Sequence, residues 1–295
     1  MRSAIGRRGL LSHALASALA LVSAALCGAC SPDVVETRLV EARSTRGYRV
    51  VTRRAHDARA PAPVLFALHP YRVAPELLVE GLALAKHAVA ARGYILVVPE
   101  GSRDTEGQPF WNASAACCGV TPNPPDDVAY LKAVLDEIVA RYAVDRERVF
   151  AIGASNGGFM AHRWACDSRG DLRAIVSVSG AAQGPDDPPC TPARPVRVLE
   201  IHGDQDALIS YQGGRTTRGS YPSAPATVES WRKLNRLSEA PQRSRRWVFR
   251  LGTLQIDEWS GEEAKVALWT VEGGDHELRG VRRLVPELLD FMEGK

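Results

Sequence analysis

Charge of one sign is what this chain most conspicuously lacks. Its 295 residues carry 37 Lys and Arg against 34 Asp and Glu, a formal net charge of +3. That is too small to draw in a nucleic acid. Dense basic runs are missing too: Arg243, Arg245 and Arg246 suit a solvated strand edge rather than a binding patch. Metal-ligand spacing is absent around Cys117, Cys118, Cys166 and Cys190, which have neither a histidine cluster nor a Cys-x-x-Cys partner. This argues against a zinc site. The glycine-rich turn Gly153–Gly158 lacks a Gly-Lys-Ser/Thr ending and the dinucleotide spacing, so it is not read as a phosphate loop. No internal repeat, low-complexity tract or interdomain linker divides the chain, which leaves one domain as the simplest organisation. At 45% hydrophobic and 24% charged residues, that domain can bury a full core.

One long uncharged apolar stretch is present, Leu10 to Leu26, preceded by Arg2, Arg7 and Arg8 and followed by "CGAC". A charged region, an apolar region and small residues read as a signal peptide over residues 1–30. Gly28 and Ala29 before Cys30 resemble a bacterial lipobox, with Cys27 departing from the usual Leu. Cys30 is therefore the expected lipidation site and the route to a membrane anchor; simple secretion, an uncleaved span and twin-arginine export are the alternatives. Residues 31–37 read as a linker within a domain covering 31–295. Setting aside Cys27 and Cys30 leaves four cysteines, an even set that reads as two disulfides with three possible connectivities. A bond between the adjacent Cys117 and Cys118 is disfavoured on geometry, so each is expected to pair with Cys166 or Cys190.

Arg38–Ala42 and Tyr48–Arg53 look like an antiparallel hairpin. "APVLFALHP", "YILVVPEG", "LRAIVSVSG" and "VRVLEIHG" are near-continuous apolar runs, as expected of strands buried on both faces. Helical spacing covers Glu76–Arg92, Asp126–Tyr142, the segment after Ser155 through Cys166, Tyr221–Leu237 and Val281–Met292. Further strands are expected at Val149–Ile152, Trp247–Leu251, Leu254–Trp259 and Val266–Val271. The irregular segment Ser102–Pro125 is long enough to suggest a functional loop. Strands alternating with helices give an α/β architecture, a mostly parallel sheet covered on both faces.

"GASNG" fits G-x-S-x-G with Gly153 and Gly157 around Ser155, between a buried strand and an amphipathic helix. That context is what a nucleophile elbow requires, because a sharp strand-to-helix reversal leaves no room for neighbouring Cβ atoms. The bland reading is a glycine-rich turn with Ser155 as N-cap. A base and an acid decide between them. His276 lies in "EGGDHELRG" after the last strand, and "HGDQD" after an earlier strand offers Asp204 and Asp206. Ser155, an acid and His276 follow the chain order of a hydrolase triad, each just past the carboxyl end of a strand. Asp206 is favoured as the acid and Asp204 as a turn brace. Asn156 N–H, at a helix N-terminus, suits an oxyanion donor. Pro70 has no N–H, so Tyr71 N–H is the second expected donor. His69 reads as support, and His87 and His162 as surface or packing residues. Asp126 and Asp127 read as helix N-terminal caps.

"IGASNGGFM", "WNASAACCG…PPDDVAYLK", "LEIHGDQDALISYQGG" and "EGGDHEL" resemble the polyhydroxybutyrate depolymerase and feruloyl/acetylxylan esterase group, from about Val64 to Met292. The resemblance implies an exported α/β-hydrolase that cleaves carboxylic esters, some of them polymeric, without a cofactor. By motif it makes Ser155 the nucleophile, Asp206 the acid and His276 the base. Asn156 and Tyr71 would be the oxyanion donors and Trp111 a substrate contact. His69-Pro70 replaces the group's usual His-Gly, and Glu277-Leu278-Arg279 replaces its Trp-Pro. A serine peptidase shares the same triad, and a non-catalytic glycan- or polymer-binding lipoprotein is the alternative from another class.

Overall fold

The computed structural model describes residues 34–40, 46–53, 59–119, 121–249, 252–277 and 280–295. The signal segment, the lipobox at Cys30, His56, Leu278 and Arg279 lie outside the described residues. The chain divides into two units, Met1–Cys30 and Ser31–Lys295; the fold below is that of the second.

In chain order, its strands are β1 (Val34–Val40), β2 (Gly47–Arg53), β3 (Ala62–Leu68), β4 (Ile95–Pro99), β5 (Ser102–Arg103), β6 (Pro109–Phe110), β7 (Val144–Ala154), β8 (Ala174–Val178), β9 (Arg197–Gly203), β10 (Gly214–Arg215), β11 (Ser220–Tyr221), β12 (Arg243–Phe249), β13 (Gly252–Ser260) and β14 (Lys265–Glu272). The helices are α1 (Pro75–Gly81), α2 (Asp127–Arg141), α3 (Asn156–Asp167), α4 (Ala224–Leu234) and α5 (Val285–Glu293). Ten strands form one sheet in the order β1-β2-β4-β3-β7-β8-β9-β14-β13-β12. The six from β4 to β14 run parallel, and antiparallel pairs close both edges. This is the mostly parallel α/β sheet expected from the alternation of apolar runs and helical segments.

Alternation along each strand splits the core in two. Val64, Phe66 and Leu68 of β3 pack with Trp164 of α3 and Trp231 of α4. Leu65 and Ala67 face the opposite way, toward Leu78 of α1 and Leu288 of α5. Every residue of β3, β4 and β8 is buried, which is why these strands read as unbroken apolar runs.

Several boundaries differ from expectation for identifiable reasons. The single helix expected over Glu76–Arg92 is broken: α1 ends at Gly81, Ala83 takes φ 50°, and the chain resumes as a π-helix over Ala85–Ala90. The extra residue per turn re-phases the segment, so that Leu84, Ala88 and Val89 bury against the same core as Leu78. The helix α4 starts at Ala224 because the Ser223 side chain caps it, accepting from Ala226 N–H at 3.1 Å. It stops at Leu234 because the Asn235 amide turns away to pair with both backbone groups of Val196. The strand β12 begins at Arg243 rather than Trp247, and the expected end at Leu251 lies outside the described residues; β12 is the charged sheet edge, with Arg243 and Arg246 reaching Glu258 and Glu272.

Candidate active site

Since β3, β7, β9 and β14 are parallel, their carboxyl ends share one edge of the sheet. There the chain places Pro70 after β3, Ser155 after β7, Asp206 after β9 and His276 after β14. Ser155 sits at the N-cap of α3 with φ 52° and ψ −121°, a left-handed conformation that a side chain rarely adopts. The flanking glycines explain how the turn closes: a methyl at Gly153 would strike the carbonyl of Gly157, and one at Gly157 the carbonyl of Leu68. The Ser155 amide donates to Val178 O at 2.8 Å, and its own carbonyl accepts from Gly158 at 2.8 Å. Both main-chain groups are thereby tied down, and the hydroxyl is left to the cleft.

His276 Nδ1–H donates to Asp206 Oδ2 at 2.8 Å. Asp206 Oδ1 accepts from the amides of Leu208 and Ile209, each at 2.9 Å. Burial would raise the Asp206 pKa, but the bonds from His202, His276 and Ile209 outweigh it and hold the carboxyl below its ordinary range. Asp204 does something else: its Oδ1 accepts from Gly273 N–H at 2.7 Å, bracing the turn before His276. Ser155 and His276 line one cavity of about 410 Å³. Its walls are apolar, from Val73, Leu77, Leu82, Val178 and Val281, and Arg282 and Glu277 also line it. A larger cavity of about 700 Å³ at the start of α2 is lined by none of these triad candidates.

The expected oxyanion donors lie on two segments, the start of α3 and the loop after β3. Asn156 opens α3, where an N–H has no intrahelical acceptor. Tyr71 follows Pro70 on the β3 loop, and its hydroxyl donates to Asp104 Oδ2 at 2.6 Å. The Asn156 side chain has a role with no signature in the motif. Its Oδ1 accepts from Trp111 N–H at 2.7 Å and its Nδ2 donates to Trp111 O at 2.9 Å. The amide thereby clamps the serine turn to the long loop after β4. Ser179 was missed as well: its hydroxyl donates to the carbonyl oxygen of His276 at 3.2 Å.

Three expectations are corrected. Trp111 is not a substrate contact: it is fully buried, with its indole N–H donating to His69 O at 3.0 Å. It anchors the loop against the serine turn. The cysteines pair as Cys117–Cys118 and Cys166–Cys190, not across the two sets. Cys118 takes φ 90° and Gly119 φ 56°, a reversal that turns the adjacent side chains toward each other. Cys166, at the end of α3, has Cys190 within 4.8 Å between Cα atoms and so is already satisfied. Finally, Asp126 caps α2 through Ala129 N–H, but Asp127 does not. It is buried and binds Asn112 N–H and the Arg46 guanidinium.

His69 is a buried support, as its position suggested. Its Nε2 accepts from Gly101 N–H at 2.9 Å and its Nδ1–H donates to Pro70 O at 2.8 Å. Burial pushes its pKa down from 6.5 to about 4. Between these values the unfolded chain binds the proton and the folded one does not. Stability therefore falls as pH drops through this window, by up to about 3 kcal/mol from this group. Urea denaturation at pH 7.5 and 4.5 is expected to show a smaller acid loss in His69→Gln than in the parent chain. Equal losses in the two proteins would remove His69 as the cause.

A serine on a strand–helix elbow at the carboxyl edge of a parallel sheet, with an Asp-bound histidine in the same cleft, defines an α/β-hydrolase. Residues 49–282 match the family described as X-Pro dipeptidyl-peptidase (S15 family), and the chain belongs to that family. Curated relatives carry esterase names. The chain is 28% identical over 223 residues to "Feruloyl esterase B" of Piromyces equi, covering 73% of this chain and 39% of that protein. It is 33% identical over 190 residues to "Putative esterase NocK" of Nocardia uniformis subsp. tsuyamanensis, covering 63% and 52%. The chain thus spans only 39% and 52% of the length of these two relatives. The solved acetyl xylan esterase from Aspergillus awamori superposes with a TM-score of 0.62 at 14% identity, over 87% of this chain and 99% of that one; the shared feature there is the fold. The feruloyl esterase among these relatives bears out the resemblance on its feruloyl side, and the acetyl xylan esterase bears out the fold.

Proposed function

We propose that the protein is a serine hydrolase of carboxylic esters, with Ser155 as nucleophile, His276 as general base and Asp206 as its orienting acid. The observation that carries this reading is the His276–Asp206 hydrogen bond beside a serine in strained geometry, both reaching one apolar cleft. In this mechanism His276 Nε2 takes the proton as Ser155 Oγ attacks the ester carbonyl. The negative oxygen of the tetrahedral intermediate accepts from the Asn156 and Tyr71 amides. His276 then protonates the departing alcohol, leaving an acyl-enzyme that water opens by the same steps. The lining of the cleft favours an apolar acyl or aryl group, which keeps feruloyl and 3-hydroxybutyryl esters ahead of acetyl. A serine peptidase is the second reading, favoured by the family match over residues 49–282.

Export of the chain, with residues 1–30 as signal and Cys30 lipidated, belongs to the same proposal. The charged, apolar and small-residue series and the two disulfides support it. The decisive assay is a panel of methyl ferulate, acetylated xylan, p-nitrophenyl 3-hydroxybutyrate and alanyl-prolyl p-nitroanilide. Ester turnover is expected, with the feruloyl or hydroxybutyryl substrate leading. Cleavage of the anilide alone would transfer the protein to the peptidase reading.

A further inference from the structure

The candidate triad does not end at Asp206. Glu200 is fully buried within β9, in the middle of an otherwise apolar run, and two histidines close on it. Its Oε2 lies 3.0 Å from His162 Nε2 and its Oε1 lies 3.1 Å from His202 Nδ1. Beyond, His202 Nε2 lies 2.8 Å from Ile209 O and 3.3 Å from Asp206 Oδ2, the oxygen that also holds His276. An unbroken line of buried polar contacts thus runs from Trp231 through His162, Glu200 and His202 to the acid of the triad.

Donor and acceptor chemistry fixes the protons along this line. The Trp231 indole can only donate, and it points at His162 Nδ1 at 2.9 Å. His162 therefore carries its proton on Nε2 and gives that bond to Glu200. At the other end, His202 Nε2 faces a carbonyl oxygen and a carboxylate, both acceptors, so it carries a proton too. One choice is left: whether the proton between Glu200 and His202 Nδ1 belongs to the carboxyl or the ring. Burial disfavours charge on His202, yet its bonds to Asp206 and Glu200 outweigh this and raise its pKa to about 10. For Glu200, burial is likewise outweighed by His162 and His202, and its pKa is lowered. Both directions put the proton on the ring.

We propose that His202 is a positioning residue for the triad: held as an imidazolium between Glu200 and Asp206, it fixes the Asp206 carboxylate and offsets part of its charge. Asp206 then accepts on both oxygens from donors that cannot turn away, namely two loop amides, His202 and His276. The imidazolium also offsets part of the field that the Asp206 carboxylate exerts on His276. The groups facing His202 are Glu200 from its own strand, Asp206 and His276 from the loops after β9 and β14, and His162 of α3 beyond Glu200. The Tyr211 ring packs edge-on at 5.8 Å, with its hydroxyl bonded to Thr270.

The consequence for catalysis rests on the proposed esterase reading; the protonation of His202 does not, and the two are tested separately. In the ¹⁵N-labelled full chain, histidine side-chain spectra are expected to show His202 protonated on both nitrogens from pH 6 to 9, its signals assigned by their loss in His202→Gln. A neutral His202 at pH 7 overturns the proposal whether or not the protein hydrolyses esters. In His202→Gln, the acid limb of the kcat/KM profile is expected to move to higher pH by about one unit, because Asp206 is no longer offset. With the carboxylate less firmly held, kcat is expected to fall about tenfold at little cost in KM. A lower melting temperature and lower kcat with an unmoved acid limb would make His202 a packing residue and overturn its role. Absence of ester turnover in the parent chain would remove the esterase reading and leave the spectrum to decide on His202.

Discussion

Replacing Ser155 by alanine is expected to abolish covalent labelling by a fluorophosphonate and to lower p-nitrophenyl acetate hydrolysis by up to about a millionfold, the loss that removal of a triad nucleophile brings. The fold is expected to survive. The Ser155 conformation is set by main-chain bonds to Val178 and Gly158, and alanine brings no Cβ that serine lacks. A melting temperature within a few degrees of the parent chain therefore accompanies the loss. Unchanged turnover in the variant would move the nucleophile elsewhere and end the triad assignment.

Asp206→Asn is expected to lower kcat by about ten-thousandfold, and the reason lies in its hydrogen-bond partners. The amides of Leu208 and Ile209 hold Oδ1 as an acceptor, so the new NH2 has to take the place of Oδ2. There it meets His276 Nδ1 and His202 Nε2, both of which donate in the parent. His276 is driven to the tautomer with its proton on Nε2, the nitrogen that would have to accept the Ser155 proton in the proposed mechanism. Initial rates across pH test this. The deficit is expected to persist on the alkaline side, since tautomer choice rather than protonation sets it. A loss of tenfold or less would mean that Asp204 or another acid orients His276.

Much of this site was legible in the sequence because each triad candidate follows a strand buried on both faces, and such strands leave unbroken apolar runs. The order serine, acid, histidine then needs no spatial information. That Asp206 rather than Asp204 reaches His276 was also within reach, since Asp204 sits where a turn needs bracing and in the structure holds Gly273 N–H. What the sequence hid was pairing that depends on three-dimensional approach. Nothing in "CCG" reveals that Cys118 and Gly119 both take positive φ, and general geometry alone disfavours a bond between adjacent cysteines. Trp111 carried a motif resemblance, but only its bonds to His69 and Asn156 make it an anchor. A glutamate in the middle of "VRVLEIHG" has to find partners inside the core, and His162 and His202 were available to it.

The shared edge of the parallel strands has a further consequence, one for the chain in time rather than in space. Asp206 and His276 stand 70 residues apart in sequence, and His276 is delivered only when β14 docks beside β9 as the outermost parallel strand. A half-folded chain can hold the serine turn and Asp206, but it lacks the proposed base beside them. Under the proposed triad, hydrolysis requires the β9–β14 pairing, and recovery of activity on refolding is expected to report that long-range contact rather than the first collapse.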